Sequence, residues 1–241
     1  MSSDGAAPYR RLLLKVSGEG FARKGEAALD LDRVKELASQ LHHLTSEGVQ
    51  IACVIGGGNI LRGAQSSELG INRTTADYMG MLATVVNGLA LSDALEGEGV
   101  QTRVMSAIDV DKVCEPFIRR RAIRHLEKGR VVILVGGLGI PYFTTDSTAA
   151  QRAVELECDA LLKATMVDGV YDKDPNKEED AVLLPDLTFD ELIAKRLRVM
   201  DQTAFTLCRE NNLPLIVFHL AAENGVVKAA RGESIGTLVH N

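Results

Sequence analysis

The stretch CVIGGGNILRG, residues 53–63, is the first candidate for chemistry in this 241-residue sequence. Three consecutive glycines end an apolar run, and Arg62 follows the last of them by four residues. Two known phosphate-binding patterns fail here, because G-x-G-x-x-G needs glycine at Leu61 and the P-loop needs lysine at Ala64. Glycines can still turn successive backbone N–H groups toward an anion. The stretch alone therefore leaves two interpretations open, an anion-binding loop or an ordinary tight turn.

Polar and glycine residues also follow other apolar runs. Lys15 precedes a small Ser17-Gly18 turn, and the stretch GGLGIPYFTTDS brings two threonines and Asp146 to a predicted helix start. A further stretch, KATMVDGVYDKDP, carries Thr165, Asp168, Tyr171 and Asp174. One such lysine is more often a surface charge than a catalyst. Several glycine-bearing strand ends with Lys15 and Arg62 in one crevice favour a site for several phosphates.

The elements that must position these residues alternate along the chain. Buried parallel strands are predicted from six apolar runs, at 11–16, 49–55, 100–105, 131–136, 159–164 and 213–220. Helical periods lie between them: one behind an Asp30 cap, one over about 72–95, and one with Pro116 in its first turn and Gly129 at its end. The residues TFDE, 188–191, match a capping box. The alternation predicts an α/β fold, a three-layer αβα sandwich with a mainly parallel sheet, whose ligands bind beyond the carboxyl ends of the strands.

Composition narrows the class of protein. Hydrophobic residues at 46% and charged residues at 25% are ordinary globular values, which favours one domain over 1–241. A net charge of −6 argues against a nucleic-acid partner, so local cations must hold any polyanionic ligand. Neither a signal-type start nor an apolar run of spanning length is evident, so we expect a cytoplasmic protein with no membrane partner. The four scattered cysteines are expected to be packing thiols.

Six motifs stand in the order and approximate spacing of the amino-acid kinase superfamily. They are KVSGE (15–19), VIGGGNILRG (54–63), ADYMGMLATVVNGLAL (76–91), PYFTTDS (141–147), LKATMVDGVYDKDP (162–175) and VMDQTAF (199–205). Over nearly its whole length the chain resembles this superfamily, and within it the bacterial kinases that phosphorylate UMP with ATP in pyrimidine nucleotide biosynthesis. The resemblance implies a single amino-acid kinase domain. Its N-terminal part would mainly bind UMP, and its part from about residue 159 would mainly bind ATP.

The resemblance also implies the site residues. ATP would contact Lys15, Val16, Ser17, Gly18, Gly58, Arg62, Thr165, Tyr171 and Asp174. UMP would contact Gly57, Asp77, Leu138, Gly139, Ile140, Pro141, Tyr142, Phe143, Thr144 and Thr145. Catalysis would involve Lys15, Arg62, Asp146 and Asp201, with Arg62 between the two phosphate groups. Further implications are a homohexamer, activation by GTP and inhibition by UTP.

The sequence departs from the family pattern in two places. The family usually shows GTGNP where this chain reads GLGIP, so that Leu138 and Ile140 replace polar residues. The segment RKGEAA, 23–28, lacks the glycine–phenylalanine–glycine run common near the GTP-response segment of the family. The first departure bears on side-chain contacts to the acceptor base, and the second on activation by GTP.

Phosphoryl transfer between two polyanions needs fixed positive charge rather than a strong base. We therefore interpret Asp146 as an orienting carboxylate for Lys15 or for metal-bound water, with a helix N-cap as the alternative; Asp201 has the same two interpretations. Mg²⁺ would be carried by the ATP phosphates, without a carboxylate cage. Asp77 would bind ribose hydroxyls or be a surface carboxylate, and Tyr171 would form an adenine pocket wall or only pack.

Two other functions remain open at this point. One is a superfamily relative that phosphorylates a carboxylate or carbamate, and the other is a nucleotide-binding regulator without catalysis. A wide apolar stripe on the long helix predicts a subunit interface, although a helix buried inside one chain would look the same. The stripe consists of Tyr78, Met81, Leu82, Val85, Val86 and Leu89.

Overall fold

The computed structural model describes residues 8–22, 29–61, 70–175, 177–197 and 199–241. The strands in these ranges are β1 (Arg11–Val16), β2 (Gln50–Ile55), β3 (Thr102–Ser106), β4 (Glu115–Pro116), β5 (Val131–Val135), β6 (Ala160–Thr165), β7 (Val170–Tyr171), β8 (Leu183–Leu184), β9 (Asp186–Thr188), β10 (Leu215–His219) and β11 (Gly236–His240). The α-helices are α1 (Leu31–Ser46), α2 (Arg73–Gly97), α3 (Arg119–Glu127), α4 (Thr145–Glu155), α5 (Phe189–Ala194), α6 (Gln202–Glu210) and α7 (Gly225–Ala230). A 3₁₀ turn spans Gly18–Phe21.

Nine strands of the described residues form one sheet, in the order β4-β3-β5-β2-β1-β6-β10-β11-β9. Its pairs are parallel except for β10 with β11. The six strands predicted from apolar runs are all present and parallel to one another. Strand β11 and the short strands β4, β7, β8 and β9 were not predicted. Strands β7 and β8 pair with each other outside the main sheet.

Two apolar cores lie on the two faces of the sheet, which confirms the three-layer αβα architecture. Side chains alternate along β1, so Leu12 and Leu14 pack in the core beneath α1, α2 and α7. Leu13 packs in the opposite core, beneath α3, α4, α5 and α6. Because successive strand residues point to opposite faces, Lys15 lies on the same face as Leu13. That face carries α4, whose first turn holds Asp146.

The helix ends follow the predicted caps with one exception. The Asp30 side chain accepts hydrogen bonds from the backbone N–H groups that open α1, and Gly129 beyond α3 has φ of +70°. The capping box at 188–191 is confirmed. The placement of Pro116 in a first helical turn is wrong, because Pro116 pairs with Ser106 in the edge strand β4 and α3 begins at Arg119. An edge strand tolerates proline, which lacks the N–H that a central strand must donate.

Helix α2 corrects one sequence expectation. By length and composition it is apolar enough to cross a membrane, with a mean hydropathy of 1.2 over its most apolar window. The expectation that no segment reaches this length and hydropathy is therefore wrong. However, 44% of that window is buried in the protein, where Val85, Leu91 and Leu95 pack in the core. A core helix packed on a sheet passes the same test, so composition alone does not assign α2 to a membrane.

Candidate active site

The glycine-rich loop after β2 packs directly against the turn after β1. A methyl group at Gly18 would lie 2.2 Å from the Gly58 nitrogen, and one at Gly56 would lie 2.6 Å from the Gly18 nitrogen. A methyl at Gly57 would lie 2.8 Å from the Gly80 carbonyl oxygen of α2. By contrast, no described atom lies within 4 Å of a methyl placed at Gly58. Close backbone packing thus requires three of these glycines, whereas Gly58 faces space that none of the described residues fills.

Three charged side chains meet between the ends of β1, β6 and α4. Lys15 and Lys163 are direct register partners on neighbouring parallel strands, so their side chains share one face of the sheet. Lys15 Nζ lies 2.9 Å from Asp146 Oδ1, and Lys163 Nζ lies 2.6 Å from Asp146 Oδ2. Lys163 also donates to the Val199 carbonyl oxygen. We call Lys15, Asp146 and Lys163 the charged triad.

The side chains of the charged triad are largely withdrawn from water, and this shifts the pKa values of Asp146 and Lys163. Burial alone would raise the pKa of Asp146, but the ammonium groups of Lys15 and Lys163 outweigh burial and hold this pKa below its ordinary value of 3.8. Burial lowers the pKa of Lys163 from 10.5, and Asp146 opposes that effect. Asp146 is therefore a carboxylate shared by two lysines, as expected for an orienting group.

The N-cap alternative for Asp146 is wrong. Helix α4 begins at Thr145 and its N-cap is Thr144, whose side-chain oxygen accepts hydrogen bonds from the N–H groups of Asp146 and Ser147 at 3.1 and 3.2 Å. This arrangement leaves the Asp146 carboxylate directed to the lysines rather than to its own helix end. The positive end of the α4 dipole favours its ionised form.

Asp201 links the starts of two helices. As the N-cap of α6 it accepts a hydrogen bond from the Ala204 N–H at 2.9 Å, so its N-cap interpretation is confirmed. Its carboxylate also accepts from the Ser147 hydroxyl at 2.8 Å and from the Thr144 hydroxyl. Burial would raise the pKa of Asp201, yet the hydrogen bonds from Thr144, Ala204 and Ser147 lower it. With these partners Asp201 fixes the beginning of α4 and is poorly suited to accept a proton.

A cavity of about 680 Å³ lies beside the glycine loop and the start of α4. Asp77 on its wall accepts hydrogen bonds from Arg73 Nε at 2.9 Å and from the Tyr142 N–H at 2.8 Å. Tyr142 has φ of +72°, a conformation that is uncommon for a residue with a side chain, so its bond to Asp77 stabilises a strained position. We call this space the acceptor cavity.

Seven of the ten residues predicted to contact UMP line the acceptor cavity: Gly57, Asp77, Leu138, Ile140, Phe143, Thr144 and Thr145. Gly58, predicted to contact ATP, lies on the same wall. The described lining does not include Gly139, Pro141 or Tyr142. A methyl at Gly139 would lie 2.6 Å from the Ala107 carbonyl oxygen, and the Tyr142 side chain is 67% exposed.

A second cavity, of about 610 Å³, has Lys163 of the charged triad in its lining. It is lined by Lys163, by the predicted residues Thr165, Tyr171 and Asp174, and by other side chains that include Lys195 and Arg196. The Tyr171 hydroxyl donates to Asp168 Oδ2 at 3.1 Å. We call this space the donor cavity. The charged triad is therefore next to both cavities, because Lys163 lines this one and Thr145, the neighbour of Asp146, lines the acceptor cavity.

The remaining predicted residues are placed as follows. Val16 is fully buried in the sheet, so only its backbone is available to a ligand. The Ser17 hydroxyl oxygen is buried and has no hydrogen-bond partner among the described residues, as expected of a group that contacts a ligand. Arg62 and the segment 23–28 lie outside the described residues.

Across the described ranges, no group of three His, Cys, Asp or Glu side chains is arranged to hold a metal ion.

Comparison with known proteins identifies the fold and its family. The model of the amino acid kinase family matches residues 10–219. The chain belongs to the amino acid kinase family. A protein of Dichelobacter nodosus named uridylate kinase is 52% identical over 240 residues and covers 100% of both chains.

Solved structures of this family agree with the fold. The UMP kinase of Bacillus anthracis aligns with a TM-score of 0.93 and 38% identity, over 97% of this chain and 96% of the other. The UMP kinase of Ureaplasma parvum aligns with a TM-score of 0.92 and 39% identity, over 96% and 99%. The uridylate kinase of Archaeoglobus fulgidus aligns less closely, with a TM-score of 0.72 and 26% identity, over 95% and 99%.

Sequence reasoning missed Lys163 in this amino acid kinase. The sequence feature that indicates Lys163 is a second lysine near the carboxyl end of an otherwise apolar strand. The strand ALLKAT carries Lys163 in this place, as the strand RLLLKV carries Lys15. Two buried polar residues of α2, Thr84 and Asn87, were also missed, because they lie within an apolar stretch that reads as core.

Proposed function

We propose that this amino acid kinase is a UMP kinase, which transfers the γ-phosphoryl group of ATP to UMP and yields UDP and ADP for pyrimidine nucleotide biosynthesis. The observation that carries the proposal is the charged triad next to two cavities, in a chain 52% identical to a protein named uridylate kinase. Two cavities suit two nucleotides, and cations between them suit the phosphoryl group that passes from one to the other.

Lys15 and Lys163 would supply the fixed positive charge that phosphoryl transfer requires. Two phosphorylated molecules repel each other, so the step requires positive charge fixed where they meet. Lys15 and Lys163 provide two ammonium groups, and Asp146 prevents them from separating while it leaves their other N–H groups to bind phosphate oxygens. No general base is required, because the acceptor is already a phosphate with a second pKa of ~6. Asp146 and Asp201 therefore orient other groups rather than abstract a proton.

Mg²⁺ would enter with ATP, held by the phosphates and water. The donor set fits this arrangement, because Asp146 is engaged by two lysines and Asp201 by hydroxyl and N–H groups, which leaves neither as a free metal ligand. When bound, the ion neutralises charge on the phosphates. Lys163 and the backbone near Gly18 and Gly58 would hold the same phosphates from the protein side.

We assign the two cavities to the two substrates within one domain. Residues up to about 159 would mainly hold UMP, and those from about 159 would mainly hold ATP. Arg62 would lie between the phosphates, and Val16 would contribute backbone only. A homohexamer, a cytoplasmic location, activation by GTP and inhibition by UTP belong to the same proposal. The altered segment 23–28 makes activation by GTP the part that most needs its own measurement.

Base recognition would depend on backbone groups near Leu138 and Ile140. Both side chains line the acceptor cavity and neither can donate or accept a hydrogen bond. Uracil and cytosine exchange donor and acceptor roles at N3 and at the substituent on C4, and a mispaired buried polar group costs ~1–3 kcal/mol. We therefore expect UMP to be preferred over CMP, with apolar contacts from these two side chains.

ADP release measured with UMP, CMP, acetylglutamate and carbamate as acceptors tests the proposal. We expect turnover with UMP and little with the two acids. Turnover with acetylglutamate or carbamate alone would establish the carboxylate or carbamate kinase instead. Binding of ATP and UMP without ADP release would establish a regulator. Equal efficiency with UMP and CMP would reject the uracil preference while leaving the kinase assignment intact.

A further inference from the structure

Helix α2 holds both loops of the acceptor cavity through buried polar side chains. Asn87 is 0% exposed and Thr84 is 3% exposed, although both lie on the face that packs on the sheet. The Thr84 hydroxyl accepts a hydrogen bond at 2.7 Å from the Gly136 N–H, which begins the loop after β5. The Asn87 amide donates at 2.8 Å to the Gly56 carbonyl oxygen, which begins the glycine loop after β2.

Asn87 also forms a reciprocal amide pair with Asn59, which is 5% exposed. Asn87 Nδ2 donates to Asn59 Oδ1 at 2.7 Å, and Asn59 Nδ2 donates to Asn87 Oδ1 at 3.1 Å. The Gly56 carbonyl can only accept, so it determines which end of the Asn87 amide is the nitrogen. That choice in turn determines the orientation of Asn59. The amide pair therefore joins both ends of the segment 56–59 to one point on α2.

The segment between these anchors is confined on a second side. Gly57 packs on α2 one turn earlier, where an added methyl would lie 2.8 Å from the Gly80 carbonyl oxygen and 2.9 Å from Ala83 Cβ. The loop cannot approach the helix more closely, and the amide pair prevents it from moving away. Gly57 and Gly58 lie between the anchors and line the acceptor cavity.

Packing alone does not require asparagine here. Leucine has the same number of side-chain heavy atoms, and a buried amide gains little net stability over an apolar side chain of similar shape. What the amide pair adds is direction, because its hydrogen bonds determine where the loop backbone lies.

We propose that Asn87, acting through Asn59 and the Gly56 carbonyl, is a positioning residue that holds Gly57 and Gly58 in place for the phosphate groups. The catalytic part of this inference rests on the proposed UMP kinase function. The structural part concerns the loop in the free protein.

Three variants and one control test it in the full-length protein: Asn87→Leu, Asn59→Leu, the double variant, and Thr102→Val. Thr102 is also buried and hydrogen-bonded, to Glu96 at 2.7 Å, but it joins β3 to α2 away from both cavities. Each single asparagine variant leaves a buried polar partner unsatisfied, so each should lower the melting temperature. The double variant removes both partners and should recover part of that loss.

In the double variant, catalytic activity should not recover along with the melting temperature. We expect kcat at saturating ATP and UMP to fall at least about tenfold in Asn87→Leu and to stay low in the double variant, because misplaced binding groups impair reaction geometry. The KM for UMP should change less than kcat, since Asp77 and the base contacts remain. Recovery of kcat together with melting temperature in the double variant, or the same kcat loss in Thr102→Val, would overturn the positioning role.

Hydrogen exchange of the free protein provides the independent measurement. Amides of residues 56–61 should exchange at least about tenfold faster in Asn87→Leu and in the double variant than in the unmodified protein or Thr102→Val. Unchanged exchange would overturn the inference whatever the activity. If the unmodified protein did not phosphorylate UMP, the proposed function would fail, and the exchange result would still decide the positioning role.

Discussion

At the scale of single residues, the charged triad depends on strand order more than on sequence. Lys15 and Asp146 were predicted as partners, and they lie 2.9 Å apart. Lys163 was not predicted, because its role follows from the pairing of β1 with β6, whose paired residues lie 148 positions apart along the chain. A sequence places each lysine near a strand end but does not state which strands are neighbours. The second lysine therefore became visible only with the sheet order.

Lys163→Met tests the second lysine. We expect kcat to fall by about two orders of magnitude with the fold retained, because one charge directed at a transferring group is typically worth a few kcal/mol. Asp146 would keep Lys15 as its partner, which limits the structural damage. Lys15→Met should have a similar effect, and Lys128→Met, on the exposed end of α3, should have none. Turnover of Lys163→Met within a factor of about three of the unmodified enzyme would remove Lys163 from the mechanism.

The Asp146 carboxylate should also make stability depend on acid pH. Its pKa in the folded protein lies below the ordinary 3.8, so the unfolded chain binds the proton first as pH falls. The resulting stabilisation is complete above 3.8 and is lost as pH falls from 3.8 through the lower folded value. Asp146→Asn removes this dependence. Urea unfolding between pH 7 and pH 3 should show a shallower loss of stability in Asp146→Asn than in the unmodified protein or in Asp93→Asn, an exposed control. Parallel curves for all three proteins would contradict the assignment.

At the scale of elements, the glycine loop shows what a motif can and cannot predict. The sequence left an anion loop and a tight turn as alternatives, and it gave no reason to distinguish one glycine from another. The structure separates them, because Gly18, Gly56 and Gly57 are required by close packing and Gly58 is not. This difference arises from contacts between β1, β2 and α2, which are far apart along the chain.

Paired alanine substitutions test this difference. Gly18→Ala places a methyl 2.2 Å from the Gly58 nitrogen, a backbone atom, so we expect a loss of ~1–3 kcal/mol in the free energy of unfolding. Gly58→Ala meets no described atom within 4 Å and should unfold at an unchanged temperature, but its methyl should raise the KM for ATP, whose phosphates the backbone near Gly58 is proposed to hold. Thermal unfolding and steady-state kinetics check both results. The idea fails if Gly58→Ala destabilises the protein as much as Gly18→Ala.

The elements predicted from the sequence are those whose own residues show a complete pattern of apolar periodicity and cap residues. The buried runs of six parallel strands and the capped helices α1 and α2 were predicted, since apolar periodicity and cap residues are local signals. Strands β4, β7, β8 and β9 have only two or three residues each, and Pro116 suggested a helix start instead of β4. Such short strands form because a partner strand is already in place, so their own residues show no pattern that predicts a strand.

At the scale of the whole molecule, the sheet brings distant segments to one edge. The two cavities use residues from 57 to 145 and from 163 to 217, and the charged triad joins them. The net charge of −6 gives no sign of polyanion binding, because the cations that matter are few and local. Charge balance excluded nucleic acid as an expected partner but did not locate the site.

The outer side of α2 is the surface through which copies of this molecule are proposed to associate. The apolar stripe predicted from the sequence divides into two parts: Met81 and Val85 are buried and Leu89 is half-buried against the core, whereas Tyr78, Leu82 and Val86 are 44–50% exposed. Met79 beside them is 39% exposed. One side of the helix therefore packs on the sheet, and the other side exposes large apolar side chains. A second copy of the chain would cover these side chains in the proposed homohexamer, which is built from dimers.

A double substitution, Leu82→Glu with Val86→Glu, tests that interface. Both side chains are exposed within one chain, so the charges should not disturb the core. Buried between two copies, however, they would be desolvated and would repel each other across the dimer axis. We expect sedimentation equilibrium to report a hexamer for the unmodified protein and a smaller species for the double variant. Ile193→Glu, on the exposed side of α5 at 47% exposure, should remain hexameric. A monomeric unmodified protein with full UMP kinase activity would instead show that α2 packs only against residues of its own chain.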